Sequence, residues 1–215
     1  AVSYNVSSSD NCAGSSLAQT AGLASGSVFP IGSTTNSFVA TDAAGNTAAC
    51  SFSVTVNDNE APVITCAASV NVSNDNGVCG AAVSYSVGSS DNCGSTTAQT
   101  AGLASGSVFP IGTTTNSFVA TDAAGNTAAC SFTVTVNDTE APVISCPANV
   151  NVSNDNGVCG AAVSYSVSSS DNCNSTSAQT AGLASGSVFP VGTTTNSFVA
   201  THASGNTAAG RFAVT

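Results

Sequence analysis

The sequence predicts an all-β chain built as tandem antiparallel β-sandwiches with Greek-key connections, about 80 residues to the repeat. Three observations carry this. The cysteines Cys50, Cys66, Cys79 and Cys93 return 80 residues later as Cys130, Cys146, Cys159 and Cys173, so the chain repeats itself. Short segments such as Val83-Ser84-Tyr85-Ser86-Val87 and Phe132-Thr133-Val134-Thr135-Val136 alternate apolar and polar residues with the period of a strand. Gly, Asn and Pro punctuate the chain about every 8–12 residues, the spacing of short strands in a sandwich, and no 3.6-residue apolar stripe of useful length competes.

Taken in chain order, the repeats are expected at 1–58, 59–138 and 139–215. Ala1-Val2-Ser3-Tyr4 corresponds to Ala82-Val83-Ser84-Tyr85, so the first repeat lacks its first strands. Either the residues are a window on a longer array, or a neighbouring molecule supplies the missing strand. Within a repeat, Val83–Val87 and Phe132–Val136 are expected as half-buried strands. Asn74-Asp75-Asn76-Gly77 and Ala123-Ala124-Gly125-Asn126 read as tight turns, and Phe109-Pro110-Ile111-Gly112 as a corner. Tyr4, Tyr85 and Tyr165 share one equivalent position and read as core, as do Phe29, Phe109 and Phe189. Residues 139–215 differ from 59–135 at 13 of 77 positions. Among the differences, His202 stands where Asp42 and Asp122 do, Gly210 where Cys50 and Cys130 do, and Arg211 where Ser51 and Ser131 do. His202, in a turn and without a Ser or Cys partner, is expected to be solvated.

Composition narrows the function. Of 215 residues, one is Lys or Arg, eleven are Asp or Glu and one is His, for a net charge of −10. A single cation cannot neutralise a run of phosphates, so nucleic acid and anionic membranes have no electrostatic basis as partners. With one His and neither Lys, Met nor Trp, the side chains that most often act as general bases or sugar-stacking platforms are nearly missing, and an enzyme is not expected. No apolar run reaches the about 18 residues a membrane-spanning helix needs. Nine cysteines in a chain whose apolar residues are mostly Ala and Val point to disulfides and an oxidising compartment.

Ala141-Pro142-Val143-Ile144-Ser145-Cys146-Pro147, then Asp171-Asn172-Cys173, then Gly186-Ser187-Val188-Phe189-Pro190, in this order, resemble the hyalin repeat, or HYR domain. Ala120-Thr121-Asp122-Ala123-Ala124-Gly125-Asn126 and Cys130-Ser131-Phe132-Thr133-Val134 complete the pattern. The resemblance implies an immunoglobulin-like sandwich and an extracellular, adhesive or structural role. In such a sandwich the first and last strands run side by side, which suggests a Cys66–Cys130 disulfide; Cys79 would then join Cys93, and Cys159 would join Cys173. Zinc is the alternative use of four cysteines per repeat, but no Cys-x-x-Cys pair occurs.

The acids recur at five places only: Asp10, Asp91 and Asp171 before Asn-Cys; Asp42 and Asp122; Asp58 with Glu60; Asp138 with Glu140; and Asp75 with Asp155. The immunoglobulin-like topology brings Asp91 and Asp122 toward Asp58, Asn59 and Glu60, and Asp171 toward Asp138 and Glu140. Carboxylates gathered without a cation repel, and a hard cation with six to eight oxygen ligands, calcium above all, relieves them. Asn57-Asp58-Asn59-Glu60-Ala61-Pro62 also resembles the calcium-binding linkers of cadherins. Asp and Asn are equally ordinary turn residues, and that reading is preferred for Asp75 and Asp155. His202 removes one carboxylate from the second cluster, which should weaken it.

The expected function is a stalk, spacer or fibre on or outside the cell, with neighbouring copies or adjacent repeats as partners and cell-surface or matrix proteins or glycans as targets. The alternative is a glycan-binding module of a secreted or cell-surface protein, for which the missing Trp is a poor start.

Overall fold

The computed structural model describes every residue from Ala1 to Thr215. It is all-β, with eighteen strands; no helix is long and apolar enough to cross a membrane. The chain forms two compact units. One is Ala1–Pro62 with the segments Asp91–Ser95 and Thr121–Thr127; the other is Val63–Ser90, Thr96–Ala120 and Ala128–Thr215.

In the first unit, β1 (Ser16–Ala21), β2 (Gly32–Thr41) and β3 (Thr47–Val56) form an antiparallel sheet in that order. The β2–β3 turn closes because the Asp42 carboxylate accepts the N–H groups of Ala44 at 2.9 Å and Asn46 at 2.8 Å. Gly45 meets the turn's demand for positive φ, at 91°. Phe38 and Phe52 stack at 6.2 Å, and the Tyr4 ring meets Phe52 edge-on at 4.9 Å.

The second unit carries most of two successive repeats. In residues 63–137 the strands are β4 (Val63–Thr65), β5 (Val70–Ser73), β6 (Gly80–Ala82), β7 (Gly88–Ser90), β8 (Ser95–Ala101), β9 (Val108–Pro110), β10 (Gly112–Asp122) and β11 (Thr127–Asn137). One sheet runs β5-β11-β10-β8, and β4 pairs with β7 and β6 with β9. Along β11, Phe132, Val134 and Val136 are buried while the residues between them face outward, the period-two pattern legible in the sequence.

The next repeat follows the same plan with β12 (Val143–Ser145), β13 (Gly160–Ala162), β14 (Ser168–Ser170), β15 (Ser175–Ala181), β16 (Val188–Pro190), β17 (Thr194–His202) and β18 (Thr207–Val214). Its main sheet is β15-β17-β18, with Val150 bridging in parallel to Val214 where β5 pairs with β11 in the preceding repeat.

Two expectations about strands need correction. The first strand does not simply run beside the last. β4 pairs antiparallel with β7, the chain bends at Cys66–Ser69, and only then does β5 lie parallel to β11, with Val70 opposite Val134. Val83–Val87 is not a ladder strand either, although Val83 is buried and Ser84 and Ser86 are exposed. Its backbone groups are taken elsewhere: the carbonyl of Val83 accepts from Gly106, and the Ser105 hydroxyl both donates to the Tyr85 carbonyl and accepts the Tyr85 N–H.

A polar knot lies under each main sheet. Asn116 is fully buried, and its Oδ1 accepts the Leu103 N–H at 2.9 Å. Gln99 donates from Nε2 to the carbonyls of Ala101 and Leu103, and the Tyr85 hydroxyl donates to Leu103 as well. Gly102 has φ +92°, and a Cβ there would fall 2.2 Å from Asn116 Oδ1, so no other residue fits. The same group recurs around Asn36 and Asn196. It satisfies the backbone where the edge strands β1 and β15 bulge, between Gln19 and Ala21 and between Gln179 and Ala181.

Cys66, just past β4, is bonded to Cys130 in β11 and ties the two sheets of its repeat together. The expected pairs Cys79–Cys93 and Cys159–Cys173 do not form: Cys79 is bonded to Cys173, 94 residues away, and Cys93 and Cys159 are free and exposed. The physical reason is placement, since Cys93 belongs to the compact unit of Ala1–Pro62 and Cys79 does not. Cys146 has no partner, but a Cβ on Gly210 would come within 2.6 Å of its Sγ.

Two predictions follow from this packing. N116A removes the acceptor of the partly buried Leu103 N–H and should lower unfolding stability by roughly 1–3 kcal/mol, seen as an earlier midpoint in denaturant with an unchanged slope. G210C should close a bridge to Cys146 and raise stability by roughly 2–4 kcal/mol under oxidising conditions, a gain that reductant abolishes.

Candidate functional site

The first acidic cluster is assembled from three stretches of the same compact unit. Asp58 lies just past β3, Asp91 opens the turn after β7, and Asp122 ends β10. Donor atoms of Asp58, Asp91 and Cys93 all fall within 4.8 Å of one another. Each loop is held by its own hydrogen bonds: Asp58 accepts from the Glu60 N–H at 3.2 Å, Asp91 from the Cys93 N–H at 2.8 Å, and the Asn126 side chain donates to the Asp58 carbonyl at 3.2 Å. Those bonds leave Asp58 Oδ2 buried with no backbone or amide donor, and the Cys93 thiol is the further donor to this carboxylate.

Asp122 is spent largely on its turn. Its Oδ1 accepts the N–H groups of Ala124 and Asn126, and its Oδ2 accepts the Asn126 side chain at 2.8 Å. Burial works against ionisation there, but the Asn126 side chain and the N–H groups of Asn126, Gly125 and Ala124 prevail and hold the carboxyl below the usual range. Cys93 moves the other way. Burial, then a hydrogen bond to Asp58, then the charges of Asp58, Asp91 and Asp122 push its thiol up, so the thiolate that zinc would need is disfavoured.

The second cluster lies in the other unit and is the more deeply buried. The side chains of Asp138, Asp171 and His202 are 0%, 3% and 4% exposed. His202, expected in solvent, is therefore in the interior, drawn there by two acids. Its Nδ1 lies 2.9 Å from Asp138 Oδ2, and its Nε2 lies 3.8 Å from Asp171 Oδ2. Nδ1 also lies 3.0 Å from the Ser204 N–H, the bond that the Asp122 carboxylate makes to Ala124 in the preceding repeat. The ring can accept from Ser204 or, protonated, donate to Asp138, but not both. Asp171 Oδ2 and Asn172 Oδ1 are buried without a hydrogen bond, and Asp138 Oδ2 has only His202 Nδ1 within reach. Cys173 is close by, but its sulfur is committed to Cys79.

The structure therefore brings together Asp58 and Asp91 beside Cys93, with the charge of Asp122 also acting on the thiol, and Asp138 and Asp171 around His202. Asn59 is exposed. Glu60 and Glu140 turn away: Glu60 accepts from the Asn92 side chain at 3.0 Å, and both oxygens of Glu140 accept the Gly77 N–H at 3.0 Å. Asp75 and Asp155 are turn residues, each accepting a backbone N–H, from Ala82 and Ala162. His202 sits at the cluster position that its alignment with Asp122 implies, but buried between two acids and not in solvent.

The chain covers 85% of itself in an alignment at 37% identity over 194 residues with hyalin of Strongylocentrotus purpuratus, spanning 16% of that protein. It is 32% identical over 130 residues to hyalin of Lytechinus variegatus, covering 58% of this chain and 24% of the other. The chain thus spans less than a quarter of the length of these relatives. Among solved structures, Drosophila N-cadherin EC1-3 aligns over 97% of this chain and 91% of its own at 10% identity, with a TM-score of 0.40. The HYR domain model matches three times, at residues 1–56, 57–136 and 137–215, and the chain belongs to the HYR domain family.

Proposed function

We propose that the chain is part of an extracellular adhesive or structural array, with repeats at 1–58, 59–138 and 139–215 serving as beads of a stalk, spacer or fibre. Calcium at the two acidic clusters stiffens the segments joining the beads. One observation carries the metal: Asp58 Oδ2, Asp138 Oδ2 and Asp171 Oδ2 are buried carboxylate oxygens that no backbone or amide N–H reaches, facing only the Cys93 thiol or the His202 ring, in a chain with one arginine and no lysine. Burying an unpaired carboxylate is costly, and a cation offsets that cost. The donor set fits a hard ion, since it consists of carboxylates, with Asn172 Oδ1 at the second cluster. Asp58, Asp91 and Asp122 would hold the first ion, and Asp138 and Asp171 the second, with solvent completing the shell. His202 stands in part for the cation at the second cluster, which makes the first the stronger site. The HYR family and the hyalin relatives support the adhesive reading, as does the dearth of side chains suited to acid–base work.

The test is thermal unfolding and calorimetric titration in millimolar calcium and in chelator. Free calcium at 100 times the Kd should add about 2.7 kcal/mol of stability. D58N should remove the stronger response, and H202D should strengthen the weaker one. Identical unfolding curves with and without calcium, together with no heat of binding, would overturn the calcium reading.

A further inference from the structure

The Cys79–Cys173 bond links a residue of repeat 59–138 to a residue of repeat 139–215, although Cys93, in Cys79's own repeat, is far nearer in sequence. It is one of three contacts that seat a single loop. Cys79 is bonded to Cys173, the Val78 carbonyl accepts the Asn172 side chain at 2.9 Å, and the Gly77 N–H donates to both oxygens of Glu140 at 3.0 Å. Gly77-Val78-Cys79 is thus a plug, and Glu140, Asn172 and Cys173 form its socket.

Both halves recur. Gly157-Val158-Cys159 copies the plug residue for residue, and its shape is the same: Asp155 N–H to Gly160 carbonyl at 2.8 Å and Val158 N–H to Asp155 carbonyl at 3.0 Å match Asp75 to Gly80 at 2.7 Å and Val78 to Asp75 at 2.9 Å. Gly157 has φ +77° where Gly77 has +70°. Both plugs are exposed to a similar degree, and the difference lies in the cysteine: Cys79 is bonded, whereas Cys159 is a free thiol. The second socket is Glu60, Asn92 and Cys93. With no plug to hold, its side chains hold each other: the Asn92 amide donates to Glu60 at 3.0 Å, whereas the equivalent Asn172 and Glu140 reach the loop. Cys93 is free as well.

From this we infer that Cys159 and Cys93 are half-staples that each take a cysteine from a further HYR repeat, so that every repeat is covalently locked to the next. The partner of Cys159 is the cysteine of a following Asp-Asn-Cys turn; the partner of Cys93 is the cysteine of a preceding Asn-Gly-Val-Cys loop. Each bond forms by exchange with an external disulfide such as oxidised glutathione. One cysteine thiolate displaces a glutathione thiol to give a mixed disulfide, the second thiolate displaces the other, and two reduced glutathiones leave per bond.

The 215-residue chain is compared with two lengthened chains, all oxidised in glutathione buffer with chelator present, which keeps the outcome independent of calcium. One lengthened chain carries a copy of residues 59–81 ahead of Ala1, the other a copy of residues 136–215 after Thr215; both keep the repeat in register. In the 215-residue chain, Cys93 and Cys159 should react with an alkylating reagent under native conditions. In the first lengthened chain Cys93 should be protected and recovered by peptide mapping in a bond to the copied Cys79. In the second, Cys159 should be protected and bonded to the copied Cys173. C173S in the 215-residue chain supplies a separate readout, expected to expose Cys79 alone. Recovery of Cys79–Cys93 or Cys159–Cys173, continued reactivity of Cys93 and Cys159 in correctly folded lengthened chains, or C173S changing the reactivity of Cys159, would each overturn the inference.

Discussion

Carboxylates that meet without a positive side chain set the terms for this protein. Eleven acids face one arginine and one histidine, so the clusters around Asp58 and Asp138 have almost no internal counter-ion. Most proteins would neutralise such sites with lysine or arginine. Here each acid is first steadied by backbone N–H groups and asparagine side chains, as at Asp122, and what those cannot cover is left as buried oxygen facing its neighbours. At the second cluster the His202 ring lies between Asp138 and Asp171, the one basic side chain near either group of acids.

The thin core explains why polar and covalent devices recur beside it. Its buried side chains are chiefly Phe, Val and Ala, seven of them forming the core of the repeat that the HYR model matches at residues 57–136. The Asn116 knot and the Cys66–Cys130 bond both act beside that core, one next to the edge strand β8 and one between two sheets. Gly210 shows the same economy from the other side. Without a cysteine opposite it, Cys146 packs as a small apolar side chain against the core of its repeat.

Near-identical repeats also act as internal controls. Asp122 and His202 occupy one position, and the difference between a turn carboxylate with three donors and an imidazole between two acids isolates what that position does. The two sockets differ in the same informative way, one engaged with a loop and one closed on itself.

Much of this was legible in the letters. The 80-residue period, the strand through Phe132–Val136, the tight turns at Asp75 and Asp122 and the buried Phe109 and Phe189 all follow from local pattern, because alternation and turn chemistry act over a few residues. The Cys66–Cys130 bond was legible too, but the partner of Cys79, the burial of His202 and the turning away of Glu60 and Glu140 were not. Each depends on which loop of one repeat abuts which loop of another. A repeat carries its own strands in its sequence, but a contact between residues 94 apart, as between Cys79 and Cys173, exists only once the chain has folded and brought the two loops to the same point in space.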